Sequence, residues 1–304
     1  MNTFIFALNA VLPIILLISF GYLLKRVNFI TDDFLKTGNK IVFKIALPAL
    51  LFFNIYSVSG LHDINWSVML YAAIGIFILL ILGIIVAKVF IKEPKQKGVI
   101  VQTIVRANFA IIGIPLAESI GGTSAVSNVA LIALVSIPLM SALSVFALSL
   151  SDQSEKQENP FKIAILKVIK NPLIIGVSAG LFVLWIRTFI PVNEATGQLS
   201  FSLAVDFKFL FTPIKWLSQI TTPLALIVLG ATFKFGHFNG LKKQIIVGTI
   251  ARSILGPIIT LGLVIILAEN ISFFKYDENV YPALISLFAS PTAIKNAVMA
   301  KEMN

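Results

Sequence analysis

Nine apolar stretches, each long enough to cross a lipid bilayer as a helix, follow one another along this chain of 304 residues. In chain order, spans 1 to 9 cover residues 4–24, 38–57, 66–91, 98–120, 123–150, 170–190, 210–233, 242–268 and 279–301. About 20 apolar residues cross the hydrocarbon core as a helix, and these segments are too long to be strands of a membrane barrel. Only 12% of the residues are charged, against about a quarter in soluble domains. The sequence therefore predicts an all-α polytopic membrane protein.

The basic residues are distributed unevenly between the connections. Most lie after odd-numbered spans, and the even-numbered connections hold only Arg187, Lys208, Lys215 and Lys275. Because lysine and arginine accumulate on the cytoplasmic side, we expect the odd-numbered connections to be cytoplasmic and the N-terminus to lie outside. The expected location is the cell (plasma) membrane. The net charge of +10 is explained by these loops, so nucleic-acid binding is not expected.

The two halves of the chain resemble each other. Matched features occur in the same order in both halves: "PIILLISFG" at 13–21 with "PLIIGVSAG" at 172–180, Pro48 with Pro223, and Pro115 with Pro291. Each complete repeat has an odd number of spans, so the second is expected to be inverted, as in secondary transporters. We predict a five-helix repeat at 1–150, a cytoplasmic linker at 151–169 and an inverted repeat at 170–304. The counterpart of span 5 would lie beyond Asn304, so the tenth helix is expected to be missing.

Spans 4 and 9 each carry a proline near the middle, Pro115 and Pro291. Proline removes a helix hydrogen bond and clashes with the preceding turn. Gly113 adds flexibility, and the hydroxyls of Ser290 and Thr292 offer partners to the freed carbonyls. A single proline in a membrane helix often only kinks it, but a pair in matching positions favours a functional break. We expect both spans to unwind at mid-membrane and to expose N–H groups at the positive ends of helix dipoles.

Two arginines lie deep in the spans. Arg106 is about nine residues into span 4, roughly 14 Å at 1.5 Å per residue, and Arg252 lies at a similar depth in span 8. Each costs about 2.5–3.5 kcal/mol in hydrocarbon, and the only acid in a span interior is Glu118. This excess of cations favours an anion site, although Arg106 paired with backbone carbonyls is the structural alternative. The candidate substrate-binding residues are Arg106, Asn108, Gly113, Pro115, Arg252, Ser290, Pro291, Thr292 and Asn296.

Four motifs resemble the auxin efflux carrier family, which includes plant auxin exporters and bacterial malate and malonate permeases. They are "ALPALLF" at 46–52, "RANFAIIGIPLAESIGG" from Arg106, "NPLIIGVSAGL" at 171–181 and "TTPLALIVLGATF" at 221–233. The resemblance implies ten helices in two inverted five-helix repeats, broken spans 4 and 9 crossing beside the substrate, and carriage of small organic carboxylates. It places Asn108 and Pro115 at the first crossover and Pro291 at the second, with Asn296 a looser match.

These observations favour a secondary transporter of small organic anions, such as malate or malonate, that works by alternating access. The incomplete second repeat leaves a non-transporting membrane sensor, a partner subunit or a truncated inactive carrier open, and also self-association into a homodimer. An ion-coupled antiporter is disfavoured because no carboxylate is expected at mid-membrane, whereas coupling of an anion carrier to protons stays open. The chain has no cysteine, and His62 and His237 lie in connections. No metal site, cofactor or enzymatic activity is therefore expected.

Overall fold

The computed structural model describes residues 3–58, 60, 65–149, 170–191, 200–233 and 242–292. Within these residues it is helical and has no strand, which confirms the all-α prediction. The helices are α1 (Thr3–Arg26), α2 (Asp32–Ile41), α3 (Leu47–Tyr56), α4 (Trp66–Phe90), α5 (Pro94–Val105), α6 (Ile114–Ser149), α7 (Pro172–Arg187), α8 (Lys208–Thr232), α9 (Lys242–Ile250), α10 (Gly256–Asn270) and α11 (Tyr281–Phe288). Three π-helical turns also occur, at Val42–Ala46, Phe109–Gly113 and Ala251–Leu255, together with short helical turns at Leu203–Asp206 and Ser272–Phe274.

The helices follow the predicted spans closely. Six helical stretches of the described residues are long and apolar enough to cross a membrane, and α7 is a shorter apolar helix. One stretch, Phe109–Ser144, runs through the predicted boundary between spans 4 and 5. Gly122 interrupts it with φ 62° and ψ −154°, a conformation that residues with a Cβ rarely adopt. Gly122 therefore ends one helical segment and begins the next. Of span 9, the described part contains α11 and ends at Thr292.

The surface of the helices is apolar, as lipid contact requires. On α4 the side chains of Tyr71 and Leu79 are buried, whereas Phe77, Ile81 and Ile85 are 47%, 58% and 53% exposed. Soluble monomers rarely expose large contiguous apolar faces. The outward-facing side of α4 is therefore suited to hydrocarbon, and the protein is a multi-pass membrane protein.

The helices form two groups in mutual contact. The first helix group consists of α1, α2, α3, α7 and α8, in which α1 packs on α8 and α3 packs on both α7 and α8. The second helix group consists of α4, α5, α6, α9, α10 and α11, in which α6 packs on α4, α5 and α11. The two groups meet mainly along α6, which contacts α1, α3 and α7.

Glycines bring the helices of the first group into close contact. A Cβ at Gly21 would collide with the carbonyl of Ile227, and one at Gly230 would collide with the carbonyl of Ile18. On α7, a Cβ at Gly176 would lie 2.5 Å from the carbonyl oxygen of Pro48. Small residues allow this backbone approach between membrane helices, where van der Waals contact drives association.

An aromatic contact positions α11 in the second group. The Phe288 ring lies where a side chain at position 75 would otherwise extend, so Gly75 is required there. The same ring meets Tyr71 edge to face, with centroids 6.0 Å apart, and the Tyr71 hydroxyl donates to the carbonyl of Thr260. These buried contacts link α4, α10 and α11 next to the point where span 9 leaves helical geometry.

Candidate functional site

Spans 4 and 9 both leave helical geometry and touch at that point. In span 4, α5 ends at Val105 and the backbone runs in non-helical conformations through residues 106–108. In span 9, α11 ends at Phe288 and the chain turns before Pro291. Ala107 and Thr292 form an antiparallel bridge, and the Asn108 N–H donates to the carbonyl of Pro291 at 2.7 Å. The structure therefore brings the two predicted breaks into direct contact. We call this contact, between residues 106–108 and 291–292, the crossing.

The break in span 4 does not lie at Pro115, and that part of the prediction is wrong. Pro115 is buried at the second residue of α6, inside the helix that follows the break. Proline has no N–H to donate to the carbonyl four residues earlier. The preceding turn is accordingly a π turn, in which the Ile114 N–H bonds to the carbonyl of Phe109. Pro115 thus widens the first turn after the break, whereas the break itself is held by the pairing with span 9.

Arg252 holds the ends of both broken helices. It is 1% exposed, in the π turn between α9 and α10. Its guanidinium donates to three carbonyls: Nη1 to Ile104 at 3.0 Å, Nη2 to Leu287 at 2.8 Å and Nε to Ser290 at 3.0 Å. The last carbonyls of a helix have no partner within the helix, so this one side chain supplies partners to the C-terminal ends of α5 and α11.

Gly113 and Ser290 lie in the contact between the two broken spans. A Cβ at Gly113 would lie 2.8 Å from the carbonyl oxygen of Ser286 and 3.0 Å from Oγ of Ser290. Ser290 is fully buried, and its hydroxyl donates to the carbonyl of Ser286. Gly113 was predicted to add flexibility; in the structure its lack of a side chain allows close packing.

A cavity of about 460 Å³ opens beside the crossing, between the two helix groups. The second helix group contributes residues 106–111 and part of α6, and the first contributes α2, the turn after it, and the ends of α7 and α8. The lining includes three cations, Lys44, Arg106 and Lys170, and three amides, Asn39, Asn108 and Asn171. Among the described lining residues there is no aspartate or glutamate. The remaining wall is largely apolar, so the cavity is suited to a small anion with a hydrocarbon body.

Two helix starts add to the positive character of the cavity. Asn171 caps α7, and its side-chain oxygen accepts from the Leu173 N–H at 3.0 Å. Pro172 occupies the first helical position, where its missing N–H costs nothing. The π turn that precedes α6 begins at Phe109, immediately after the break. The first N–H groups of a helix lack internal partners, and this end carries partial positive charge.

Of the predicted candidate residues, the structure places two in the lining of the cavity: Arg106, which is half-buried, and Asn108, which is 7% exposed. Four other candidate residues are buried next to the crossing and do not line the cavity: Gly113, Pro115, Arg252 and Ser290. Pro291 and Thr292 form the other side of the crossing, and Asn296 lies outside the described residues. The prediction therefore located the crossing but not the complete lining of the cavity.

The predicted set lacks six polar lining residues: Asn39, Lys44, Ser141, Lys170, Asn171 and Thr232. The two lysines are exposed, so we place the mouth of the cavity beside them, whereas the sequence alone indicates only charges of the cytoplasmic connections. One local signal was available, because asparagine followed by proline is typical of a helix start. Nothing in the sequence alone shows that this helix start faces the break in span 4.

A comparison with protein families finds one match that covers almost the whole chain. The matching family is described as membrane transport protein, and the match extends over residues 6–304. It therefore includes both helix groups, the crossing and every lining residue of the cavity. A comparison with curated proteins finds no match.

Proposed function

The chain belongs to the membrane transport protein family, the family of the auxin efflux carriers, and we propose that it carries small organic anions, such as malate or malonate, by alternating access. The family consists of transporters and not of enzymes. Membership thus establishes the general activity, whereas the substrate and the mechanism are argued from the site.

The charge of the cavity is the observation that carries the proposal. Arg106 and Asn108 sit at the break, and Lys44 and Lys170 lie toward the mouth. A dicarboxylate placed there meets cations and amide donors without an opposing carboxylate among the described lining residues. Ligand cavities typically measure about 300–1,000 Å³, so the volume of about 460 Å³ accommodates a molecule of a few carbons with some water. The apolar wall excludes water from its hydrocarbon part.

Arg252 has a different part in this proposal. Its depth in span 8 predicts a substrate-binding role, but Arg252 is not among the lining residues, and its guanidinium donates to three carbonyls. We therefore assign Arg252 to the support of the crossing. Arg106 supplies the countercharge, and Asn108 and the N–H groups after it supply hydrogen bonds to the carboxylate.

Two inverted repeats are the proposed basis of the alternation. The matched segments 13–21 and 172–180 belong to α1 and α7, while Pro48 and Pro223 belong to α3 and α8. α1 thus corresponds to α7, and α3 corresponds to α8. If each helix is replaced by its counterpart, the contact of α1 with α8 becomes the contact of α7 with α3. Both contacts exist. This exchange supports the pseudo-twofold relation that inverted repeats produce.

Two hydrogen bonds of α6 support a proposal for the side on which the cavity is closed. Beyond the crossing, the Ser119 hydroxyl donates to the Ala10 carbonyl at 2.7 Å, and the Ser127 hydroxyl donates to the Asn54 carbonyl at 2.9 Å. These bonds join the two helix groups on the side away from the exposed lysines at the mouth. We propose that they break when the groups rock around the crossing and the site opens to the opposite side.

Uptake of labelled malate and malonate into proteoliposomes tests the proposal. Arg106→Ala and Asn108→Ala should each lower the apparent affinity at least about tenfold, because each leaves a charged group of the substrate unpaired. Arg26→Ala and Asn270→Ala are matched controls, since both residues are exposed at helix ends. Unchanged uptake in both cavity variants would eliminate the proposed site. Thermal stabilisation by malate without flux would favour a sensor.

We propose that the protein lies in the plasma membrane and that its N-terminus is outside. Because the chain has no cysteine, single cysteines can be introduced and labelled without background. Asn28→Cys, after span 1, should react with a membrane-impermeant thiol reagent only from the inside, and Asn270→Cys, after span 8, only from the outside. The reverse pattern would invert the topology.

A further inference from the structure

A lone carboxylate occupies the interface between the helix groups, away from the cavity. Glu118 belongs to the first turns of α6, is half-buried, and is ten residues beyond Asn108, about 15 Å along a regular helix. Its Oε2 accepts a hydrogen bond from the Thr222 hydroxyl of α8 at 2.8 Å. It is the only acid that lies in the interior of a membrane-spanning helix in the described part of the chain.

Among the described residues, no lysine, arginine or histidine side chain lies within ion-pair distance of the Glu118 carboxylate. On α8 the nearest charged residue is Lys215, seven residues from Thr222, or about 10 Å along the helix. On α1 no ionisable side chain precedes Tyr22, although Ala10 contacts the neighbour of Glu118. The other helices that pack on α6 carry these ionisable side chains: Tyr56 on α3, Tyr71 and Lys88 on α4, Lys95 and Lys97 on α5, Arg187 on α7 and Tyr281 on α11. The lysines and Arg187 lie at helix ends, and the Arg187 guanidinium donates to the carbonyls of Tyr56 and Val58.

We propose that Glu118 binds the proton that this carrier couples to movement of its anion. An ionised carboxylate in a membrane interior is costly, and such residues mark proton and ion pathways. Glu118 also lies where the helix groups must separate to open the site to the opposite side, so its negative charge would face the departing or arriving anion. A proton removes that charge.

The step is a simple proton transfer. In the state open to the opposite side, the Glu118 carboxylate takes a proton from water and becomes a neutral carboxylic acid. Thr222 can donate a hydrogen bond to the carboxylate and can accept one from the acid, because a hydroxyl has both functions. The anion then passes a neutral side chain. When the groups rock back, water that enters between them from the cavity takes this proton from Glu118 and restores the carboxylate, so one proton moves with each anion. This inference rests on the proposed function.

Proton movement during malate uptake tests the assignment. Proteoliposomes with a trapped pH-sensitive dye receive external malate, and the internal pH is recorded together with labelled malate. Glu118→Gln keeps the shape of the side chain but removes the titrating group. It should lose malate-driven proton movement and the pH dependence of net uptake, yet retain exchange of labelled for unlabelled malate. Glu269→Gln, at an exposed position near the end of α10, should behave like the wild type.

A second measurement does not depend on transport. Infrared difference spectra after a pH step, on the protein in lipid without substrate, should contain a carboxylic-acid band that is lost in Glu118→Gln, retained in Glu269→Gln and shifted in Thr222→Val. Persistent proton movement in Glu118→Gln, or an unchanged band, would overturn the proton assignment. Absence of malate uptake by the wild type would instead refute the proposed function, and the infrared band would still decide whether Glu118 binds a proton.

Discussion

Replacing Arg252 with methionine tests the account of the crossing most directly. Methionine fills a similar elongated space but donates no hydrogen bond, so it removes all three bonds to Ile104, Leu287 and Ser290. These carbonyls lie at the ends of α5 and α11, and Arg252 itself is 1% exposed. Water has little access to replace the lost donors. The two broken helices should therefore lose their shared anchor.

The magnitude follows from the same geometry. A hydrogen bond from a charged donor contributes about 1.5–3 kcal/mol, and three are lost. Removing an arginine from mid-membrane recovers about 2.5–3.5 kcal/mol of insertion cost. The net destabilisation is therefore roughly 1–6.5 kcal/mol, which should lower the melting temperature by at least about 2 °C. Lysine at this position keeps the charge but not the planar arrangement of donors, so Arg252→Lys should be intermediate.

Thermal melting of the detergent-solubilised protein, followed by loss of the monodisperse peak in size-exclusion chromatography, measures the effect. Arg106→Ala is the informative comparison, because Arg106 lines the cavity and should lower malate affinity more than stability. Arg252→Met should show the opposite pattern, with near-normal affinity in the folded fraction. The reasoning would be refuted if Arg252→Met melted within about 1 °C of the wild type, which corresponds to less than about half a kcal/mol.

Three further predictions concern packing and charge. Gly113→Ala places a Cβ 2.8 Å from the Ser286 carbonyl oxygen and should cost about 1–3 kcal/mol through overpacking; a melting temperature equal to the wild type would contradict the close contact. Gly230→Val should prevent α1 from packing on α8 and abolish recovery of monodisperse protein, so normal yield would show that the helices do not touch there. The double variant Lys44→Gln and Lys170→Gln should weaken malate binding less than Arg106→Ala does, because exposed charges are screened by water and salt. It should also make malate affinity less dependent on salt concentration. An unaltered salt dependence would show that neither lysine contributes to the site.

Much of the fold could be predicted because membrane insertion depends on local composition. The length and apolarity of each span are properties of about 20 consecutive residues, and the described helices agree with the predicted spans. Gly122 also lies at the predicted boundary between spans 4 and 5. The position of the break in span 4 was harder to predict. Proline signals a disrupted helix, but the extended backbone at residues 106–108 depends on pairing with Pro291 and Thr292.

Only the central part of the candidate site was predictable from the sequence. Asn108 is a candidate because it matches the first crossover of the family that the sequence resembles, and Arg106 is a candidate because a cation at mid-membrane is costly unless it has a function. Arg252 met the same criterion, yet it bonds to carbonyls of residues 35, 38 and 148 positions away in sequence. A sequence shows the cost of a buried charge but not the partner that offsets it.

The sequence by itself determined that the chain is a multi-pass helical membrane protein with two polar, interrupted spans, because hydrocarbon selects for length and apolarity one segment at a time. Only the tertiary structure decided which residues surround the cavity. It brings Lys44 from the turn after α2 and Asn171 from the start of α7 to the break in span 4, and these segments are far apart in the chain. The physical reason is that an anion site depends on the distances between charges, and packing of the helices alone sets those distances.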